Sequence, residues 1–362
     1  MRRTARLVPI LTLAAGGALL STTVAHGATA APATARGATT AGRAVPAPVG
    51  KEAADTGAEQ RSVRRYWTEA KMEAAQPLDT LAPGRKGISL TAAAAGTPSP
   101  TATVTAVPAA PVTVPATSPG GGTAAAARTP VSARTSTGAP WARAGAVART
   151  SGRVFFTYQG RNASCSASAV TSENRSTVIT AGHCVRMGGA FHTNWVFVPG
   201  YNGGDRPYGT WVATTLYTTP QWNNGEDIDH DVAAAVVAPL NGRSLTDVVG
   251  GQGVSFNQPR RQRMHSFGYP AAAPYDGSKL VYCSGWTFDD FMMSHDIGLN
   301  CDMNGGSSGG PWFSGFDEGT GLGTLNSVNS FKYGDAAGRM FGPYFGADAK
   351  AVYDAAQDTG TP

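Results

Sequence analysis

Residues 151–362 predict an all-β domain with one terminal helix, and residues 1–150 predict a largely disordered region ahead of it. Three observations separate the two parts. After residue 150, short apolar or alternating runs recur between turn residues with no helices interleaved, which argues for an antiparallel barrel or sandwich over an α/β sheet. All four cysteines and five of the seven tryptophans lie in that part. Charge divides as well: residues 1–150 carry 16 Lys and Arg against 6 Asp and Glu, a net of +10, whereas residues 151–362 carry 13 against 18, a net of −5. The whole-chain charge of +5 and the pI near 9.1 therefore belong to the N-terminal part, and no nucleic-acid partner is expected for the domain. About 210 residues suffice for one sizeable core, or for two small barrels sharing one.

In chain order, residues 1–30 read as an export signal. Arg2, Arg3 and Arg6 start it, the apolar run Leu7–Leu20 follows, and small residues near Ala25 and Ala30 suit cleavage. That run is shorter than the roughly 20 residues that span a bilayer, so no membrane association is expected after cleavage. Residues 31–60 are rich in Ala, Thr, Gly and Pro and predict disorder. From Arg61 a Tyr66-Trp67 pair and Met72 stand at helical spacing, with Thr68 as a cap and Pro77 as a stop, so a short helix able to dock on the domain is expected. Residues 87–127 contain no charged side chain and read as a flexible linker. Residues 31–150 are thus expected to form a pro-region. Strand-like runs then follow at 153–158, 166–170, 176–180, 232–238, 263–269 and 279–284, and the one strong helical pattern is 347–357.

The cysteines, at 165, 184, 283 and 301, form no Cys-x-x-Cys or Cys-x-x-His pair, which speaks against structural zinc; no metal or cofactor is expected. Of the three possible connectivities, the local pairings Cys165–Cys184 and Cys283–Cys301 close short loops that strands can bridge. Each would restrict the unfolded chain by roughly 3 kcal/mol. Two disulfides agree with a secreted, extracellular protein.

Three segments carry chemistry. In the first, the β-branched run Val178-Ile179-Thr180 leads through Ala181-Gly182 to His183-Cys184. In the second, Asp231 stands at the mouth of an apolar run, Val232–Ala238. In the third, Ser308 sits in the glycine-dense Asn304–Pro311. A serine hydroxyl is a weak nucleophile at neutral pH and needs an imidazole to take its proton and a buried carboxylate to fix that imidazole's tautomer. It also needs backbone N–H donors aimed at the developing oxyanion, which glycine on either side of Ser308 allows. Asp227 and Asp229 compete with Asp231 for the acid's role, but only Asp231 directly precedes the apolar strand. His26, His192, His230, His265 and His295 stand in no comparable motif and read as surface or core residues. Ser307 competes with Ser308, yet only Ser308 is followed by Gly-Gly-Pro.

With TAGHC at 180–184, HDVAAAVV at 230–237 and GSSGGP at 306–311, in this order, residues 151–360 resemble the chymotrypsin-fold serine endopeptidases. The resemblance implies two antiparallel six-stranded β-barrels. It makes His183 the general acid–base, Asp231 its orienting carboxylate and Ser308 the nucleophile, with the amides of Gly306 and Ser308 as the oxyanion hole. Cys165–Cys184 would pin the histidine loop. Protein or peptide substrates and a monomeric state are implied.

Two features depart from the trypsin-like pattern. The Ile-Val-Gly-Gly start is absent, and Ser307 stands where an Asp usually pairs with the freed amine. These losses agree with each other, because a buried Asp without that amine would be an unpaired charge. The turn is closer to that of the bacterial glutamyl-endopeptidase branch. There a histidine holds the substrate carboxylate, and Asn329 occupies its place. Ser330 and Phe331 match the substrate-pairing residues, and Lys332 falls where a glycine normally opens the pocket. Asp302, six residues before Ser308, favours a basic substrate residue, whereas Lys332 favours an acidic one or neutralises Asp302. These readings lead to a secreted serine endopeptidase made as a preproprotein. The rivals are an inactive binding protein on the same scaffold and a wall-associated module, for which the C-terminus offers no sorting signal.

Overall fold

The computed structural model describes residues 44–81, 109–124, 135–334 and 338–362. The export signal and much of the 87–127 linker lie outside the described residues. Six strands of the first half form an antiparallel sheet that closes on itself. In spatial order they are Trp211–Thr218, Thr193–Pro199, Ser151–Tyr158, Arg161–Ala169, Thr177–Thr180 and Ala233–Val237. The last pairs back onto the first, with Thr218 opposite Ala233 and Ala213 opposite Val237. Tyr158 and Arg161 face each other across a two-residue hairpin, where Gln159 and Gly160 both take positive φ, the turn geometry that matches strand twist. Fully buried alanines at 163, 167, 169 and 233–235 lie among Phe155, Phe156, Trp195, Phe197 and Trp211, a mixture of small and large side chains that suits a narrow barrel.

The second half divides its strands between two sheets. Seven form the order Val112–Val114, Gly253–Phe256, Leu322–Val328, Pro311–Asp317, Arg263–Gly268, Val281–Trp286 and Thr135–Pro140. All neighbours are antiparallel except Gly253–Phe256 and Leu322–Val328. Phe288–Asp289, Ile297–Asn300 and Arg339–Gly342 form the second, three-stranded sheet. Cys283–Cys301 ties the two sheets together beside a core of Met264, Ile297, Leu299, Trp312 and Met340. Both disulfides are the local pairings. The all-β, chymotrypsin-like architecture is thus present, with one half closed by its ladder and the other by packing and a covalent bridge. The terminal helix forms over Ala347–Gln357 and buries Val352, Tyr353 and Ala356, lying against Ala233–Val237 and Trp211–Thr218. No helix among the described residues is long and apolar enough to cross a membrane.

Composition predicted disorder over 31–60, but the described residues from 44 onward take structure from their neighbours. Val49–Glu52 adds antiparallel to Trp211–Thr218, Val49 opposite Thr218. The helix Gly57–Tyr66 starts from a capping box in which Thr56 Oγ1 accepts from the Glu59 amide and the Glu59 carboxylate accepts from the Thr56 amide. Thr68 caps the expected second helix, Glu69–Glu73, accepting from the Lys71 amide at 3.3 Å. Downstream, Trp141 enters the core, with ring contacts to Phe267, Tyr282 and Phe316 at 5.2–5.6 Å. The stretch 135–141 is therefore built into the second half.

Candidate active site

The strand Thr177–Thr180 delivers Ala181 and a tight turn, Gly182–Cys184, at the barrel's mouth. Gly182 is required by close approach: a Cβ there would lie 2.7 Å from the Trp222 ring. Four further contacts hold the turn. Cys184 is bonded to Cys165, the indole N–H of Trp195 donates to the Cys184 carbonyl at 3.0 Å, and Trp222 donates to the Arg186 carbonyl at 2.8 Å. His192 Nε2 meets the His183 carbonyl at 2.8 Å. Burial pushes the His192 pKa down to about 4, so at neutral pH the imidazole is uncharged and its N–H donates. It lies stacked on Phe156.

Asp231 leaves a short turn, Ile228–His230, and precedes Ala233–Val237. Fully buried, it accepts from the His183 amide at 2.8 Å, from His183 Nδ1 at 2.7 Å, and from the Ser330 hydroxyl. The rival acids have partners of their own. Asp229 binds His295 Nδ1 at 2.9 Å, and Asp227 pairs with His230 at 3.3 Å. Asp227 and Asp348, in that order, raise the His230 pKa to about 10, and His230 in turn holds both acids below their usual range. With Nδ1 occupied by Asp231, the basic nitrogen of His183 is Nε2, which is buried and has no hydrogen-bond partner among the described residues.

Ser308 belongs to the other half, and its turn is built by bonds within the half and across to the barrel. Ser307 donates its hydroxyl to the Asn304 carbonyl at 2.7 Å, and Asn304 Nδ2 donates to Ala272 and Ala273 carbonyls. From the barrel, the Ser166 amide donates to the Ser308 carbonyl at 2.7 Å. The Ser166 hydroxyl donates to the Gly306 carbonyl at 2.9 Å while accepting from the Tyr269 amide at 2.8 Å. Gly306 takes φ +95°, open to glycine at little cost. Gly309, at φ +77°, is a point of close approach between the halves: a Cβ would stand 2.0 Å from Thr180 Oγ1 and 2.9 Å from the Ala181 nitrogen. Thr180 and Ala181 lead directly to His183, so this contact brings the serine turn to the histidine turn.

A cleft of about 530 Å³ opens beside Ser308, and Ser307, Ser330, Phe331, Lys332, Met303 and Met340 are among its walls. The five candidate substrate residues separate here. Ser330, Phe331 and Lys332 line the cleft, and burial pushes the Lys332 pKa down to about 8 against the opposing charge of Asp302. Asp302 Oδ1 accepts from the Gly138 amide at 2.7 Å and from the Tyr275 hydroxyl at 2.9 Å. Burial, and then that bond, push Tyr275 up to about 12. Asn329 is fully buried and spends its side chain on the frame: Oδ1 accepts from Ser266 and Trp312, and Nδ2 donates to the Phe267 and Ser307 carbonyls, each at 2.7–3.0 Å. Its place in the structure is under the serine turn, not in the cleft wall. Ser166 and Tyr275 were not singled out by the sequence, because a lone Ser or Tyr in a strand or loop carries no motif. Cys165, His183 and Cys184 bring metal-ligating atom types within 4.8 Å, but both sulfurs are committed to the disulfide.

No family model matches the chain. Among curated proteins, an extracellular metalloprotease of Bacillus subtilis is 37% identical over 62 residues, 17% of this chain; the chain spans about a fifth of that relative's length. Two solved structures match far more broadly. The protease Anisep from Arthrobacter nicotinovorans is 45% identical, with a TM-score of 0.56 over 58% of this chain and 96% of that one. The thermostable serine protease AL20 from an extremophilic microorganism is 42% identical, with a TM-score of 0.57 over 59% of this chain and all of that one. This similarity runs almost the full length of two proteases that share the fold, and the chain belongs to the chymotrypsin-like serine proteases.

Proposed function

We propose that the chain is a secreted serine endopeptidase in which Ser308 is the nucleophile, His183 the general base and acid, and Asp231 the carboxylate that orients it. The Ser308 hydroxyl adds to the substrate carbonyl and passes its proton to His183 Nε2. The Gly306 and Ser308 amides receive the negative charge that forms on the carbonyl oxygen. His183 then protonates the leaving amine, and water, deprotonated by the same nitrogen, hydrolyses the acyl ester and restores Ser308. The observation that carries this reading is the buried 2.7 Å contact of His183 Nδ1 with Asp231, which leaves Nε2 as the proton acceptor, on a turn whose leading residues Thr180 and Ala181 pack against Gly309 next to Ser308. A fluorophosphonate probe is expected to label the protein, and Ser308→Ala is expected to abolish both labelling and casein hydrolysis. Labelling that persists in Ser308→Ala defeats the assignment.

The disulfides and the name of the curated relative support export. Residues ahead of the domain act as a removable pro-region, and its boundary falls before residue 112, because Val112–Val114 pairs with Gly253–Phe256, Thr135–Pro140 pairs with Val281–Trp286 and Gly138 holds Asp302. Substrate choice rests with Lys332. It stands in the cleft wall, whereas Asp302 already accepts two hydrogen bonds, so an acidic or polar side chain is favoured over a basic one.

A further inference from the structure

Residues 44–81 are attached to the first half by contacts of three kinds. The backbone of Val49–Glu52 extends the barrel at Trp211–Thr218, and the Ala53 and Ala54 amides continue that ladder to the Thr214 and Ala213 carbonyls. Side chains reach across: Tyr66 donates to Asn162 Oδ1 at 2.7 Å, and the Trp67 indole donates to the Asn194 carbonyl. Apolar anchors are buried, with Trp67 against the Phe155 ring and Met72, Leu78 and Leu81 part of the main core.

The end of this segment runs into the cleft. Gln76 and Pro77 pair parallel with Ala163 and Ser164, next to the Cys165 that holds the histidine turn. A Cβ on Gly305 would lie 3.0 Å from Asp79 Oδ2 and 3.2 Å from Pro77, so these residues press on the serine turn itself. Asp79 and Thr80 form one wall of the same cleft that holds Ser308. We propose that this face of the barrel is a docking site for the chain's own residues 44–81, and that Gln76–Leu81, seated there, keep peptide substrates away from Ser308. The proposal rests on the reading of Ser308 as nucleophile. A substrate must bring its backbone to Ser308, and the pro-segment stands between the serine turn and the Ser164 edge that such a backbone would approach. The anchors are backbone pairing and buried side chains, not chain continuity, so the segment holds its seat after a cut beyond Leu81.

The test compares the uncleaved full chain with the processed enzyme freed of residues 44–81, on a fluorogenic peptide, with rates normalised to fluorophosphonate-labelled Ser308. The full chain is expected to turn over at least about 50-fold slower, and Leu78→Asp in the full chain to recover most of that loss. A synthetic peptide of residues 44–81 is expected to inhibit the processed enzyme, and its Trp67→Ala version to be at least about tenfold weaker. Should Leu78→Asp fail to accumulate, the peptide arm decides. Equal turnover by both labelled forms, or indifference of the processed enzyme to roughly 100 µM peptide, overturns the proposal. Absence of labelling in both forms defeats the Ser308 assignment, and this inference with it.

Discussion

The two halves of the domain solve the same packing problem differently, and the proposed catalytic groups divide between them. The first half closes its sheet, strand against strand, and both His183 and Asp231 hang from its mouth at the ends of adjacent paired strands, Thr177–Thr180 and Ala233–Val237. Their mutual geometry is therefore set within one hydrogen-bonded frame. The second half leaves its strands in two sheets joined by a disulfide and supplies Ser308 from a turn. The difference teaches where positional error can enter. The acid–histidine pair is fixed locally, whereas the serine depends on how one half is registered on the other. That register rests on Gly309 against Thr180, on Ser166 bonded to the Gly306 and Ser308 carbonyls, and on Ser330 reaching Asp231.

The largest expected effect comes from breaking that register while leaving the barrel intact. Gly309→Ala places a methyl group 2.0 Å from Thr180 Oγ1 at a φ that L residues rarely adopt, so the turn must withdraw. Because even about 1 Å of displacement costs on the order of 100-fold, a loss of about 10³-fold in kcat/KM is expected. The His183–Asp231 pair should survive, read as a low-field Nδ1 proton by NMR. Loss of both activity and that proton would place the pair's geometry under control of the serine turn and break the comparison.

How far the sequence anticipated this depends on whether a residue works through its neighbours in the chain or through distant ones. His183, Asp231 and Ser308 stand out as candidates because each sits in a motif whose flanking residues have a structural purpose: Gly182 makes room for Trp222, and Gly309 for Thr180. The disulfides were legible as short loops. The place of Asn329 after the serine strand predicts a substrate contact, but two of its four partners, Ser266 and Phe267, lie more than sixty residues away and help claim its amide for the frame. Composition reads residues 49–60 as disordered because it scores a segment by itself, and Val49–Glu52 is ordered by a barrel strand more than 160 residues downstream. The capping box at Thr56 and Glu59 was a local cue to the helix that composition masked. The Thr135–Pro140 strand was hidden for the same reason, because its partner is Val281–Trp286.

A smaller perturbation sharpens the register without forcing the halves apart. Ser166→Ala removes the hydroxyl that donates to the Gly306 carbonyl and accepts from the Tyr269 amide, leaving both buried backbone groups without that partner. The Ser166 amide still holds the Ser308 carbonyl. The oxyanion donor at Gly306 loosens while the nucleophile stays in place, so kcat is expected to fall about 10- to 100-fold with KM little changed. A change confined to KM would mean that Ser166 serves the cleft and not the turn.

The smallest expected effect concerns choice of substrate and is confined to the second half. Lys332 lines the cleft with its pKa pushed down to about 8 by burial, and the Asp302 charge opposes that shift. A substrate carboxylate in the cleft would meet this partly desolvated ammonium in a charge-assisted hydrogen bond, worth about 1.5–3 kcal/mol. Peptides with Glu or Asp before the scissile bond are therefore expected to exceed those with Lys or Arg by about tenfold or more in kcat/KM, and Lys332→Met to erase most of that margin. The sign with pH follows from the group: lysine carries its charge below its pKa and loses it above. The preference should hold at pH 6–7 and decline as pH rises through about 8 in the free enzyme. A wild-type preference for Arg or Lys would instead make Asp302 the selecting charge, with Gly138 and Tyr275 as the groups that aim it. Because none of the register contacts at Gly309, Ser166 and Ser330 involves Lys332, its replacement should leave fluorophosphonate labelling of Ser308 unchanged, so that selectivity and catalytic register come apart in a single variant.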